Sequence, residues 1–207
     1  MKVKSMSLGP LGTNCYIIHN SNEAIIVDPG GEPEKVISYL DDEGLKPNAI
    51  LLTHAHFDHI GGVDKLRTHF AVDVYIHEKE DEWLNDPALN GSLLFIGSEI
   101  ATKNAEHYLV PGTVKLHTIS FEVIHTPGHS PGSVSFIFHD EAFVIGGDVL
   151  FNRGIGRTDL PGGDIKELES SIRNGLYTLS DHFTVFPGHG PKTTIAEEKQ
   201  HNPFFPY

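Results

Sequence analysis

The run Ile50-Leu51-Leu52 is followed at once by Thr53-His54-Ala55-His56-Phe57-Asp58-His59-Ile60-Gly61-Gly62, so four side chains able to ligate a metal fall within six positions behind an apolar segment. A short continuous apolar stretch suits a buried strand, Ala49 to Leu52, and Gly61-Gly62 closes the loop before a helical pattern in Val63, Leu66 and Phe70. The candidates therefore sit on a strand-to-helix loop, where a rigid scaffold presents chemistry. His54 and His56 lie two apart, so in extended backbone both imidazoles project to one side. Asp58 and His59 follow after a turn and can aim at a second centre. Imidazole and carboxylate together suit zinc, with iron or manganese possible. Without a metal, several polar groups would crowd beside an apolar strand uncompensated.

Three further stretches offer partners. Thr126-Pro127-Gly128-His129-Ser130-Pro131-Gly132-Ser133 places His129 in a tight turn after the strand-like Phe121 to His125. Val144-Ile145-Gly146-Gly147-Asp148 puts Asp148 at the end of another apolar strand, and Val185-Phe186-Pro187-Gly188-His189-Gly190 does the same for His189. Each apolar run breaks at Gly or Pro and then offers one ligand type. Singly these are weak signals; with the first run they form a set able to converge on one rim.

In that order, His54-x-His56-x-Asp58-His59, His129, Asp148 and His189 resemble the metallo-β-lactamase superfamily over nearly the whole chain. Gly154-Ile155-Gly156-Arg157-Thr158-Asp159-Leu160-Pro161-Gly162-Gly163-Asp164 and Pro187-Gly188-His189-Gly190-Pro191-x-Thr193-Thr194 look like the short, single-domain glyoxalase II-like hydrolases of that superfamily. The resemblance implies an α+β fold, a four-layer αββα sandwich of two mixed sheets that binds one or two metals at one edge. It also implies that His54, His56 and His129 bind a first metal, that Asp58, His59 and His189 bind a second, and that Asp148 bridges them. Asp58 and Asp148 are the expected catalytic residues, and two Zn2+ per chain the expected cofactor.

Composition narrows the rest. At 207 residues the chain is expected to form one domain, 1–207, with a full core. One cysteine, Cys15, excludes a disulfide framework, suits a reducing compartment and reads as a small core residue. Neither a signal core nor a run long enough to span a membrane is seen, so a cytoplasmic protein with no membrane partner is expected. A formal charge of -13 argues against a nucleic-acid partner, which needs clustered Lys and Arg. Asp41 to Glu43 and Glu78 to Glu82 read as solvated helix faces.

Along the chain, strands are expected at Val3 to Leu8, Asn14 to His19 and Ala24 to Val27, an antiparallel meander. Asp28 after them is either an Asx turn or, by resemblance, a support for the metal loop. Helices are expected over Pro33 to Glu43, from Val63 to about His69, over Glu78 to Leu84 with the packing anchor Trp83, over Ile165 to Leu179, and over Thr194 to His201. Other strands are expected at Val74 to His77 and Phe183 to Phe186. Val114 to Leu116, Phe121 to His125, Val134 to Phe138 and Ala142 to Ile145 read as a second meander. Asp86 to Gly112 has no clear period and is either a loop bordering a substrate cleft or one tucked onto the core.

Two metals about 3.5 to 4 Å apart would lower the pKa of a shared water and polarise a carbonyl, so no serine nucleophile is needed and Ser130 and Ser133 are turn residues. A thiolate leaves with a conjugate-acid pKa of about 8.5, which suits thioester cleavage without a dedicated general acid. The implied substrate is a small anionic thioester such as S-lactoylglutathione. Arg157 stands where glyoxalase II has a glutathione-binding Lys, and would fork onto a substrate carboxylate. Two departures leave other thiol carriers open: Asp159 stands where that enzyme has an aromatic residue, and no separate C-terminal helical domain is expected. The Gly-x-Gly-Arg157-Thr-Asp159 segment is shared with persulfide dioxygenases, which use one iron held by two His and one Asp, and that activity is the alternative. A non-catalytic metal-binding protein would predict an eroded ligand set, whereas every expected ligand is present.

Overall fold

A computed structural model describes all residues, 1–207. Its contacts group the chain into two compact units, Met1–Leu109 with Lys115–Ser120, and Val110–Val114 with Phe121–Tyr207. No helix is long and apolar enough to cross a membrane.

The first unit is built on a six-stranded mixed sheet. Strands β1 (Lys2–Leu8), β2 (Thr13–His19) and β3 (Glu23–Val27) form the antiparallel meander, and helix α1 (Pro33–Asp42) then returns the chain to β4 (Lys46–Leu51), which runs parallel to β3. After β4 come α2 (Phe57–Ile60) and α3 (Val63–Phe70), then β5 (Asp73–Ile76), two short 3-10 turns at Glu78–Glu80 and Glu82–Asn85, α4 (Ser92–Ile96) and β6 (His107–Tyr108). Sheet order follows chain order, β1 to β6, with β4, β5 and β6 parallel neighbours. Val36 and Leu40 of α1 and Val63 and Leu66 of α3 bury their apolar stripes against Ile17, Ile26, Ile50, Val74 and Ile76. Side chains on the opposite face, among them Ile18, Ile25 and Leu51, are also buried, which is why β2 to β4 read as continuous apolar runs.

The second unit carries the other six-stranded mixed sheet. Its strands are β7 (Gly112–Leu116), β8 (Ile119–His125), β9 (Val134–Phe138), β10 (Phe143–Gly147), β13 (Thr184–Pro187) and β14 (Thr193–Thr194), in the order β14-β13-β10-β9-β8-β7. Only β10 and β13 are shown pairing in parallel; β8-β9, β9-β10 and β13-β14 are antiparallel. Between β10 and β13 lie the ribbon β11 (Leu150–Phe151) and β12 (Gly154–Ile155) and helix α5 (Ile165–Asn174); α6 (Ile195–His201) follows β14. Asp164 caps α5 by accepting from Lys166 N and Glu167 N, and Thr194 caps α6 by accepting from Glu197 N. Leu168 and Ile172 of α5 pack with Val144, Val185 and Ile195.

Two mixed sheets with flanking helices, in the α+β class, are the architecture expected, but several local expectations need correction. The helix read over Ile165 to Leu179 ends at Asn174, because Gly175 leaves helical dihedrals (φ -108, ψ -84); a 3-10 turn, Leu176–Thr178, keeps Leu176 in the same apolar cluster. Glu78 to Leu84 is two 3-10 turns instead of one helix. Nor is its acidic face wholly solvated: Glu80 is fully buried, and Asp81 accepts from Ala105 N and Asn104 Nδ2. The irregular stretch holds the short α4 and β6. It is tied to the core through Leu89, Ile100 and Ala105, and Asn90 Nδ2 donates to the carbonyls of Trp83 and Ile100.

Candidate metal centre

In the first unit, β4 delivers the chain into a loop that positions His54, His56, Asp58 and His59, all buried. Asp58 and His59 ride on the single helical turn α2, opened by a His59 N to His56 O bond of 2.9 Å. Ligand atoms of His54 and His56, of His54 and His59, and of Asp58 and His59 lie within 4.8 Å of one another. The loop has no freedom beneath Asp58. A Cβ on Gly30 would lie 1.7 Å from the Asp58 carbonyl oxygen, so only glycine permits that approach.

Hydrogen bonds assign the ring protons of this cluster. Thr53 Oγ1 donates its one proton to Asp28 Oδ2 at 2.6 Å, so its contact with His54 Nδ1 at 3.0 Å is one in which the imidazole donates. His59 Nδ1 lies 3.0 Å from the same Asp28 Oδ2 and donates to it. Both rings are thereby held as the Nδ1–H tautomer, with the lone pair on Nε2. Asp28 Oδ1 also accepts from Thr53 N at 2.8 Å. Asp28 thus supports the loop that carries His54 to His59, and its left-handed backbone (φ 49) is one that Asp tolerates.

Three supports were not anticipated. Thr13 Oγ1 donates to Asp58 Oδ2 at 2.6 Å, Glu80 Oε2 accepts from Ala55 N at 2.6 Å between the first two histidines, and the Asn90 carbonyl accepts from Phe57 N at 3.0 Å. Trp83 lies near His56, ring centroids 6.0 Å apart, and Phe95 stacks on Phe57 at 5.9 Å. Cys15 is fully buried, and burial pushes its thiol pKa up, with Asp28 adding to the rise; it is a core residue.

In the second unit, Asp148 follows β10 and His189 follows β13, while His129 sits in the turn after β8. His129 Nε2 lies 3.6 Å, and His189 Nε2 3.5 Å, from Asp148 Oδ2. His129 Nδ1 donates to the Arg157 carbonyl at 2.8 Å, so this ring too keeps its lone pair on Nε2. A Cβ on Gly156 would lie 1.8 Å from the Asp148 carbonyl, repeating behind Asp148 the arrangement of Gly30 behind Asp58. The hydroxyls of Ser130 and Ser133 bond each other at 2.7 Å inside the turn, as turn residues would. The Arg157 side chain is engaged by Asp159 through Nε to Oδ1 and Nη2 to Oδ2, both 2.8 Å.

These observations test whether a metal fits. Three imidazoles present Nε2 as the lone-pair atom, their orientation set by carboxylate, hydroxyl or carbonyl acceptors, which is the usual support of a metal-binding histidine. Carboxylates complete the donor set, and borderline divalent ions suit it.

A family model described as Metallo-beta-lactamase superfamily matches residues 8–189. The chain belongs to the metallo-β-lactamase superfamily. It is 46% identical over 205 residues to a probable metallo-hydrolase, YqgX, of Bacillus subtilis, covering 99% of this chain and 97% of that one. Hydroxyacylglutathione hydrolase GloC of Haemophilus influenzae is 37% identical over 212 residues, 99% and 98% covered. Among solved structures, the B3 metallo-β-lactamase BLEG-1 superposes with a TM-score of 0.96 at 52% identity, 98% and 99% covered. TTHA1623 in a di-iron-bound form superposes at 0.88 with 39% identity, 98% and 100% covered. Membership of this metallo-hydrolase superfamily supports an enzyme, and the His and Asp clusters are ones that could hold a divalent metal.

Proposed function

We propose that this metallo-hydrolase cleaves small anionic thioesters of the S-lactoylglutathione type. In this reading His54, His56 and His129 hold one ion, Asp58, His59 and His189 a second, and Asp148 serves both. The observation that carries the metal part is the shared use of Nδ1 by His54, His59 and His129, each donating into the scaffold so that Nε2 can ligate. Zinc suits the donors, and the di-iron form of TTHA1623 supports iron as an alternative. Such ions, when bound, lower the pKa of water and polarise a carbonyl oxygen.

The chain's own residues do the positioning. Asp28 and Thr53 orient His59 and His54, the Arg157 carbonyl orients His129, and Thr13 holds one oxygen of Asp58. The Arg157 guanidinium, half exposed on the segment that holds His129, is the proposed anchor for a substrate carboxylate. Identity to GloC over nearly the whole of both chains supports the thioester. The net charge of -13 supports a small-molecule partner over nucleic acid.

A second reading, β-lactam hydrolysis, is favoured by the 52% identity to BLEG-1. The test is metal content of the purified protein together with turnover of thioesters, β-lactams and persulfides. Anaerobic cleavage of S-lactoylglutathione by protein holding about two ions is expected. Cleavage of β-lactams alone would promote the second reading, and oxygen uptake on persulfide without anaerobic thioester cleavage would replace hydrolysis by sulfur oxidation.

A further inference from the structure

Residues 157–164 are fastened at both ends to the turn that carries His129. At one end the Arg157 carbonyl accepts from His129 Nδ1 at 2.8 Å; at the other Asp164 N donates to the Gly128 carbonyl at 2.8 Å. Between them the segment turns back on itself, with Gly163 N donating to Leu160 O at 2.9 Å and no room for a Cβ at Gly163, which would lie 2.4 Å from Thr158 O. The main chain fixes this segment without help from the charged side chains it displays. Those are Arg157 and Asp159, 50% and 70% exposed and joined by two parallel hydrogen bonds.

An ion pair this exposed adds little to folding. What the pair does provide is one positive and one negative group at a fixed distance from His129. A ligand bearing only a carboxylate must displace Asp159 from the guanidinium and leave that carboxylate to water, whereas a ligand bearing a carboxylate and an ammonium replaces one charge pair by two.

We propose that the Arg157–Asp159 pair recognises the zwitterionic α-amino acid end of a thiol carrier, its carboxylate on Arg157 and its ammonium on Asp159. The inference rests on the thioester reading and narrows its substrate class. The Arg157 hydrogen bonds hold the Asp159 pKa down at about 2, so at neutral pH the carboxylate and a ligand ammonium are both charged. The α-amino acid group can come from a γ-glutamyl peptide or from a cysteine-type thiol.

Binding without turnover tests it. S-methylglutathione, its N-acetyl derivative and S-methylcysteine are titrated calorimetrically into zinc-loaded wild-type protein and Asp159→Asn. The wild type is expected to bind S-methylglutathione about tenfold more tightly than the acetylated form, the scale of one charged hydrogen bond, and Asp159→Asn to bring that ratio near one. S-methylcysteine binding that is weakened by Asp159→Asn would assign the shorter carrier and support the same chemistry. Equal affinity of the wild type for the free and acetylated amines, or Asp159→Asn tightening both, would overturn the proposal. Because no hydrolysis is measured, a protein that shows the tenfold preference yet cleaves no thioester would sink the hydrolase reading alone.

Discussion

Asp28 Oδ2 accepts from His59 Nδ1 at 3.0 Å while the same carboxylate holds both the amide and the hydroxyl of Thr53. One side chain at the end of β3 therefore sets the orientation of two imidazoles, directly for His59 and through Thr53 for His54. Asp28→Asn keeps the left-handed backbone accessible but turns one acceptor into a donor facing donors. Metal affinity, read by competition with a chromogenic chelator, is expected to fall about 10- to 100-fold with the fold retained.

Asp148 is the carboxylate that both His129 and His189 approach in the second unit. The close contact behind it is made by its main chain, against Gly156, and does not involve the side chain. Asp148→Ala is expected to retain the circular dichroism of the wild type, to hold fewer metal ions by elemental analysis, and to lose most of kcat. Near-native turnover would refute its assignment as a ligand.

Gly30 and Gly156 each face a carbonyl that a Cβ would overlap, at 1.7 and 1.8 Å. Backbone cannot yield as the tip of a side chain can. Gly30→Ala and Gly156→Ala are each expected to cost about 1–3 kcal/mol or more in urea denaturation of the metal-free protein. A loss under about 0.5 kcal/mol would mean that the close approach is not kept in solution.

Asp159 has its pKa lowered from the ordinary 3.8 to about 2, chiefly by the hydrogen bonds from Arg157. The folded value lies below the unfolded one, so the pair's contribution to stability is present above about pH 4 and disappears as pH falls through about 2. Carboxyl carbon NMR should show Asp159 titrating near 2 in the wild type and nearer its ordinary value in Arg157→Gln. Identical titrations would show that the fork is not formed in solution.

The proposed ligand residues could be picked out in the sequence because a metal site would demand particular side chains at strand ends, and His54 to His59, His129, Asp148 and His189 each follow an apolar run broken by turn residues. The helices α1 and α3 and the start of α5 were legible because burial on one stripe imposes a helical period, and strands β2 and β3 because burial on both faces leaves a continuous apolar run between turn residues. Their supports were not. Glu80 lies 25 residues beyond Ala55, and Thr13 45 residues before Asp58, so Glu80 read as part of a solvated helix face and Thr13 carried no signal until folding brought each under the loop. Asp28 was undecided between a turn and a support, since an Asp after a strand serves either purpose, and its geometry with Thr53 and His59 settles it. Local periodicity also could not stop a helix at Gly175, where Leu176 continues the apolar spacing while the backbone turns away. Residue chemistry and local period are properties of the sequence; which carboxylate neutralises which donor depends on distances that only tertiary packing creates.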